Sequence, residues 1–246
     1  MVYNNIFSVF SFLTIIPIKT YDLEYVAKNM YLFPLVGLII GIAIGILSFL
    51  LFSNLPSFVL GLIITATILG ITGLHHSDAL SDLADGLMAK GSKEFKHKVM
   101  SDPRNGTAGT VVLIFYIIGM IIFVSTIEDK IKLVSVIIIA EVLSKYSMVL
   151  QCHIGKSAWT GLNVIFIKEM KNKKKFLVSN LILITSIIFF GLNFYHEIII
   201  SLLIMLVISI VVSLIAKRSF GGLSGDVIGA TNEISRFFIY LFYSIF

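Results

Sequence analysis

Apolar runs of about twenty residues recur along this chain, separated by short polar stretches. Tyr31 to Phe52 is the first, Leu55 to Leu74 the second and Thr107 to Ile127 the third. Leu133 to Leu150 follows, interrupted by Glu141 and Lys145, and then come Phe176 to Tyr195 and Ile198 to Ile215. Each approaches the length that carries a helix across the apolar slab of a bilayer, about 30 Å. The tail from Val227 to Phe246 is long enough for a seventh; Asn232, Glu233 and Arg236 in its first half must face protein rather than lipid. Ile6 to Ile18 is apolar but short, and Pro17 limits it. No Lys or Arg precedes it and no small-residue cleavage site follows, so it reads as an interfacial or re-entrant segment rather than a signal peptide. The pattern predicts an all-α, polytopic integral membrane protein with six to seven transmembrane helices. One membrane domain covers residues 1–246, with no internal repeat or linker.

Composition supports this and excludes other classes. Of 246 residues, 57% are hydrophobic and 13% charged. Soluble domains carry about 25% charged residues. So little charge cannot solvate a surface of this size, which excludes a soluble enzyme, a disordered chain and a soluble nucleic-acid binder. The single cysteine, Cys152, excludes a disulfide framework within the chain and a CxxC metal site. The net charge of +5 is read as topology, not as a nucleic-acid partner. If the six clear runs all cross, sixteen of the nineteen basic residues fall on one side, including Lys19, Lys90, Arg104, Lys168 and Arg218. Only Lys130 and Lys132 fall on the other, and Lys145 lies within a run. The positive-inside rule then puts the N-terminus and the long loops in the cytoplasm of a cell (plasma) membrane, bacterial or archaeal.

The unusual polar residues lie on that same side. The second run leads into His75-His76-Ser77-Asp78-Ala79-Leu80-Ser81-Asp82-Leu83-Ala84-Asp85-Gly86. At about 100° per residue, Asp78, Asp82 and Asp85 fall within about 60° of one helical face. Three carboxylates on one face repel, and near a bilayer they need protons or cations. A solvated acidic helix end would pair them with Lys or Arg at i+3 or i+4, and none is there. Hard oxygen ligands without a thiolate favour Mg²⁺ or Mn²⁺. A second acidic group, Asp226 and Glu233, comes from the far end of the chain; seven residues apart, they share a face of one helix. Together the two groups suggest a shared metal site.

Between them, Asp102-Pro103-Arg104-Asn105-Gly106-Thr107 marks a turn before the third run. The N-terminus of that run would offer free N–H groups, and Arg104 could grip a phosphate in bidentate fashion, so the segment is a candidate anion site. Glu141 and Lys145, at i and i+4, are expected to form a structural ion pair. On an unbroken helix His76 points away from the aspartate face. Trp159 and His153 have no readable role.

These residues resemble a known family. The stretch from His76 to Gly86 is similar to the H-x-D-G-L-A-D-x-x-D-G signature of cobalamin synthase, the adenosylcobinamide-GDP ribazoletransferase family. In order along the chain, Phe12 to Pro17 resembles that family's F-L-T-x-I-P, and Phe33 to Gly37 its F-P-x-V-G. Asp102 to Thr107 resembles its D-x-R-x-G-T, and Gly225 to Glu233 its G-D-x-x-G-A-x-N-E. Ala79 and Ser81 depart from the pattern, but the carboxylate spacing is kept. The resemblance implies a Mg²⁺-dependent membrane enzyme that joins adenosylcobinamide-GDP to α-ribazole or its 5′-phosphate and releases GMP. It implies a metal set of Asp78, Asp82, Asp85, Asp226 and Glu233, with Asp82, His76 and Arg104 as catalytic residues. The general base, a carboxylate of the set or His76, stays open, as does the oligomeric state, a homo-oligomer included.

Two other activities fit the sequence less well. A CDP-alcohol phosphotransferase needs D-x2-D-G-x2-A-R-x8-G-x3-D-x3-D, and Val99, Pro103 and Thr107 stand where its glycine and last two aspartates belong. A cation or proton transporter would spread polar groups toward the bilayer midplane, whereas here they gather at one face.

Overall fold

The computed structural model describes residues 2–17, 22–191 and 194–246. Lys19, the end of the first apolar segment at Ile18, and residues 192–193 within the fifth run lie outside them. The described elements are helices: α1 Val2–Leu13, α2 Leu23–Lys28, α3 Phe33–Leu51, α4 Ser57–Ile71, α5 His75–Met88 and α6 Lys93–Met100. These are followed by α7 Thr107–Thr126, α8 Lys130–Ile154, α9 Leu162–Met170, α10 Lys173–Gly191, α11 Tyr195–Phe220 and α12 Gly225–Ile245.

Among the described residues, four helical stretches are long and apolar enough to cross a membrane: Met30–Leu51, α7, α8 and α11. The pair α4 and α5 makes a fifth if one bent pair counts as a span. The structure thus supports a multi-pass all-α protein without supporting six to seven spans. The difference has a composition basis. Helix α10 opens on Lys173, Lys174 and Lys175, and α12 carries Asp226, Glu233 and Arg236.

The second apolar run is not one helix. α4 ends after Ile71, where the Thr72 hydroxyl turns back onto the Ile68 carbonyl at 2.9 Å. Gly73 and Leu74 then take left-handed conformations, φ 65° and 63°, and α5 leaves at 90° to α4. Gly73 adopts this region readily, whereas Leu74 pays a cost of about 1–3 kcal/mol. The turn carries the aspartate helix off the line of the span, so we read α5 as lying outside the membrane-spanning segments.

Helix α8 is the axis of the bundle, with 89% of its apolar window buried. It packs on α3, α10, α11 and α12. The α3 contact is close enough that a Cβ on Gly41 would lie 2.8 Å from the Ile138 Cα. Small residues at a helix interface replace the hydrophobic driving force that lipid does not supply. Helices α7 and α11 turn large apolar side chains outward, among them Phe115, Ile118, Leu203, Val207 and Leu214. A contiguous apolar exterior of this kind fits a lipid environment.

Candidate active site

The two acidic segments meet. α12 packs closely along α5, and Gly229 faces Ala79 and His76. Ser224 starts α12 by accepting the Val227 N–H at 3.2 Å, which sets Asp226 in the first turn. Asp78 is exposed, and Asp82, Asp85 and Asp226 are half-buried. A cavity of about 330 Å³ is lined by Asp78, Asp82, Met100, Ser101, Asp102, Pro103 and Asn105. Burial and the neighbouring carboxylates of Asp78, Asp226 and Asp85 push the Asp82 carboxyl up to about 7. Among the described residues no Lys or Arg pairs with these carboxylates, so they crowd negative charge in an environment that a cation relieves.

The remaining acidic residues are placed differently. Asp85 accepts the Gly106 N–H at 2.8 Å and the Gly109 N–H at 2.9 Å. The N-terminus of α7, expected to hold an external anion, is thus occupied by the chain's own carboxylate. Glu233 is fully buried in α12 and faces away from the cavity. It binds Arg236 and the Tyr116 hydroxyl, and it accepts the Asn232 amide at 2.7 Å. Arg236 in turn grips Glu141 through Nε at 2.7 Å and Nη2 at 3.1 Å. Lys145 completes the group, 3.6 Å from Glu141 and donating to Asn232 at 3.0 Å. The expected Glu141–Lys145 pair is therefore present as part of a larger buried network. Two acids and two bases balance there, as buried charge requires.

His76 belongs to this network rather than to the aspartate face. It is buried, with Nδ1 3.9 Å from Glu233 Oε1, and among the described residues that nitrogen has no hydrogen-bond partner. Arg104 sits in the loop before α7, its side chain 87% exposed. Its Nη2 and Nε reach Asp102 at 2.8 and 3.0 Å. The Arg104 side chain beside Asp102 holds that carboxyl down to about 2. Sequence reasoning missed Asp102 and Asn105 as lining residues, although both stood inside the motif around Arg104.

Among the described residues no three ligating side chains converge tightly enough to hold a metal ion by themselves. Mg²⁺ does not need such a cage: it binds through one or two carboxylates and completes its shell with water and substrate phosphates. Asp78 and Asp82, which line the cavity, fit that mode, with Asp226 adding its charge beside Asp82; Asp85 and Glu233 are engaged elsewhere.

Residues 5–244 match the cobalamin-5-phosphate synthase family. The chain is 30% identical to an adenosylcobinamide-GDP ribazoletransferase from Methanocella arvoryzae, over 95% of this chain and 92% of that one. It is 32% identical to the enzyme of that name from Clostridium kluyveri, over 94% and 92%. A Thermococcus onnurineus protein of the same name is 31% identical over 92% and 91%. No solved structure matches. With the acidic helices joined and the match running through nearly every residue, the chain belongs to the cobalamin-5-phosphate synthase family, as an enzyme of the ribazoletransferase type.

Proposed function

We propose that this chain transfers the adenosylcobinamide phosphate group of adenosylcobinamide-GDP to a hydroxyl of α-ribazole or α-ribazole 5′-phosphate. The hydroxyl oxygen bonds to the phosphorus carrying the cobinamide ester. The bond from that phosphorus to the bridging oxygen breaks, and GMP leaves with that oxygen. The products are GMP and adenosylcobalamin or its phosphate. The observation that carries this reading is the crowding of Asp226 against Asp82, which lines one cavity with Asp78, with no Lys or Arg paired to them among the described residues.

Asp78, Asp82 and Asp226 would hold Mg²⁺ against the diphosphate. When bound, the ion neutralises charge on the phosphoryl oxygens and the leaving GMP. Asp85 holds the N-terminus of α7 against α5 and so fixes the loop that carries Asp102 and Arg104. Arg104 steadies a phosphate once it lets go of Asp102. That exchange costs little, because an exposed ion pair is weak in water. A cavity carboxylate takes the hydroxyl proton, since His76 is turned into the buried network. The charge distribution supports a plasma-membrane location with the cavity on the cytoplasmic side.

The test is GMP release by purified protein in liposomes, with and without Mg²⁺, for the wild type and Asp82→Asn. Expected are a requirement for the ion and a loss of at least about 100-fold in the variant. Metal-independent turnover, or near-normal turnover by Asp82→Asn, would overturn the assignment.

A further inference from the structure

A second cavity, of about 250 Å³, lies along α6 and is lined by Lys93, Glu94, His97, Trp159 and Phe220 among others. Its wall is aromatic. The His97 and Trp159 rings lie 3.8 Å apart between centroids, and Trp159 meets Phe220 edge-on at 6.4 Å. Three distant stretches of chain contribute these rings: α6, the loop before α9 and the end of α11. Lys93 and Glu94 stand at the exposed start of α6 and offer one cation and one carboxylate.

The two cavities are neighbours. Met100 lines the acidic cavity and His97 lines the aromatic one. These two lining residues are three apart on α6, about 4.5 Å of helix rise. A nucleotide whose diphosphate occupies the acidic cavity would therefore reach the aromatic one with its base.

We propose that the cavity between α6, Trp159 and Phe220 is the subsite for the guanine ring of the nucleotide substrate. The ring stacks on the aromatic wall. A carboxylate at the mouth accepts from guanine's two neighbouring edge N–H groups, a donor pair that a benzimidazole-type base lacks. This assignment rests on the proposed transfer reaction and adds to it the location and chemistry of nucleotide recognition.

Trp159 is the only tryptophan of the chain, so its emission reports directly on this cavity. The first arm titrates GMP, and separately α-ribazole, into detergent-purified protein and follows tryptophan fluorescence. GMP should change the emission saturably and α-ribazole should not. The second arm measures both KM values in the transfer assay for Trp159→Leu and Trp159→Phe. Base–aromatic stacking of about 1–3 kcal/mol corresponds to roughly a five- to 150-fold rise in KM for the nucleotide substrate in Trp159→Leu. The KM for α-ribazole and kcat should hold, and Trp159→Phe should recover most of the loss. A merely structural role for Trp159 would disturb both KM values together and overturn the proposal. A response to α-ribazole alone, or to neither ligand, would overturn it as well. A wild type without GMP release would defeat the proposed reaction instead, and the fluorescence arm would still decide what the cavity binds.

Discussion

Asp85 and Gly109 are built against each other across the α5–α7 interface. The Gly109 N–H reaches Oδ1 at 2.9 Å, and a Cβ placed on Gly109 would stand 2.6 Å from Oδ2. Hydrogen bonds to a charged acceptor contribute about 1.5–3 kcal/mol each, and the helix N-terminus favours the negative charge. Asp85→Ala removes the acceptor for two amides, and Gly109→Ala pushes the helices apart. Asp85→Ala should lower the stability of the purified protein by about 3 kcal/mol or more, and Gly109→Ala should lower it too, both read as an earlier thermal unfolding transition in detergent. At pH 5.5, where the Asp82 carboxyl is still protonated, Asp82→Asn should leave that transition in place while cutting transfer at least about 100-fold. Unchanged melting of Asp85→Ala would show that the carboxylate does not hold the interface.

Arg104 and Asp102 form an exposed pair beside the acidic cavity. Their pairing is weak in water, so stability should not depend on it. Arg104→Ala should melt with the wild type yet lose about ten- to hundred-fold in kcat/KM for the nucleotide substrate, as expected of a lost phosphate contact. Arg104→Lys keeps the charge without the fork and should recover only part of that loss. Wild-type kinetics in Arg104→Ala would remove this residue from phosphate binding.

The sequence shows some of these relationships and hides others. The spacing of Asp78, Asp82 and Asp85 is a local property of helix geometry, so their common face was legible, and so was the Glu141–Lys145 pair. What each carboxylate touches is not local. Asp85 and Asp82 share that face, yet only Asp85 meets the amides of α7, because Gly106 and Gly109 leave room there. Glu233 shares a helical face with Asp226, but Arg236 at i+3 and Tyr116 from α7 draw its carboxylate inward. That i+3 arginine was a readable signal for burial in a pair. The break at Gly73 and Leu74 escaped notice because the run from Leu55 to Leu74 is apolar throughout, and hydropathy is blind to the sign of φ. The stack of His97 on Trp159 joins residues far apart in the chain and leaves no periodic trace.

Arg236 is the hub of the buried network, and its two carboxylate partners come from α8 and α12. Removing one member of a buried pair costs about 3–5 kcal/mol, because the partner's charge is left unmatched. Arg236→Met should therefore give poor yield and a strongly lowered melting transition. Adding Glu141→Gln to that variant neutralises the stranded carboxylate and should restore part of the stability. The two changes should thus couple by more than about 1 kcal/mol in a double-mutant cycle. Strict additivity would mean that Arg236 and Glu141 do not act on each other.

The crowding around Asp82 makes a prediction about pH. Its carboxyl titrates near 3.8 in an unfolded chain and is pushed up to about 7 in the fold. Between those values the folded protein holds a proton that the unfolded chain has already lost. Stability therefore falls as pH rises through that window, and the penalty is complete above about 7. Asp82 is only half-buried, so screening by water makes the slope shallower than the full shift implies. In chelator, the melting temperature should decline from pH 5.5 to pH 7.5, and Asp82→Asn should flatten that decline. Mg²⁺ added at pH 7.5 should raise the transition of the wild type, because the ion takes over the task of the proton, and should do less for the variant. Equal slopes in wild type and variant would show that Asp82 does not carry the strain of the acidic cluster.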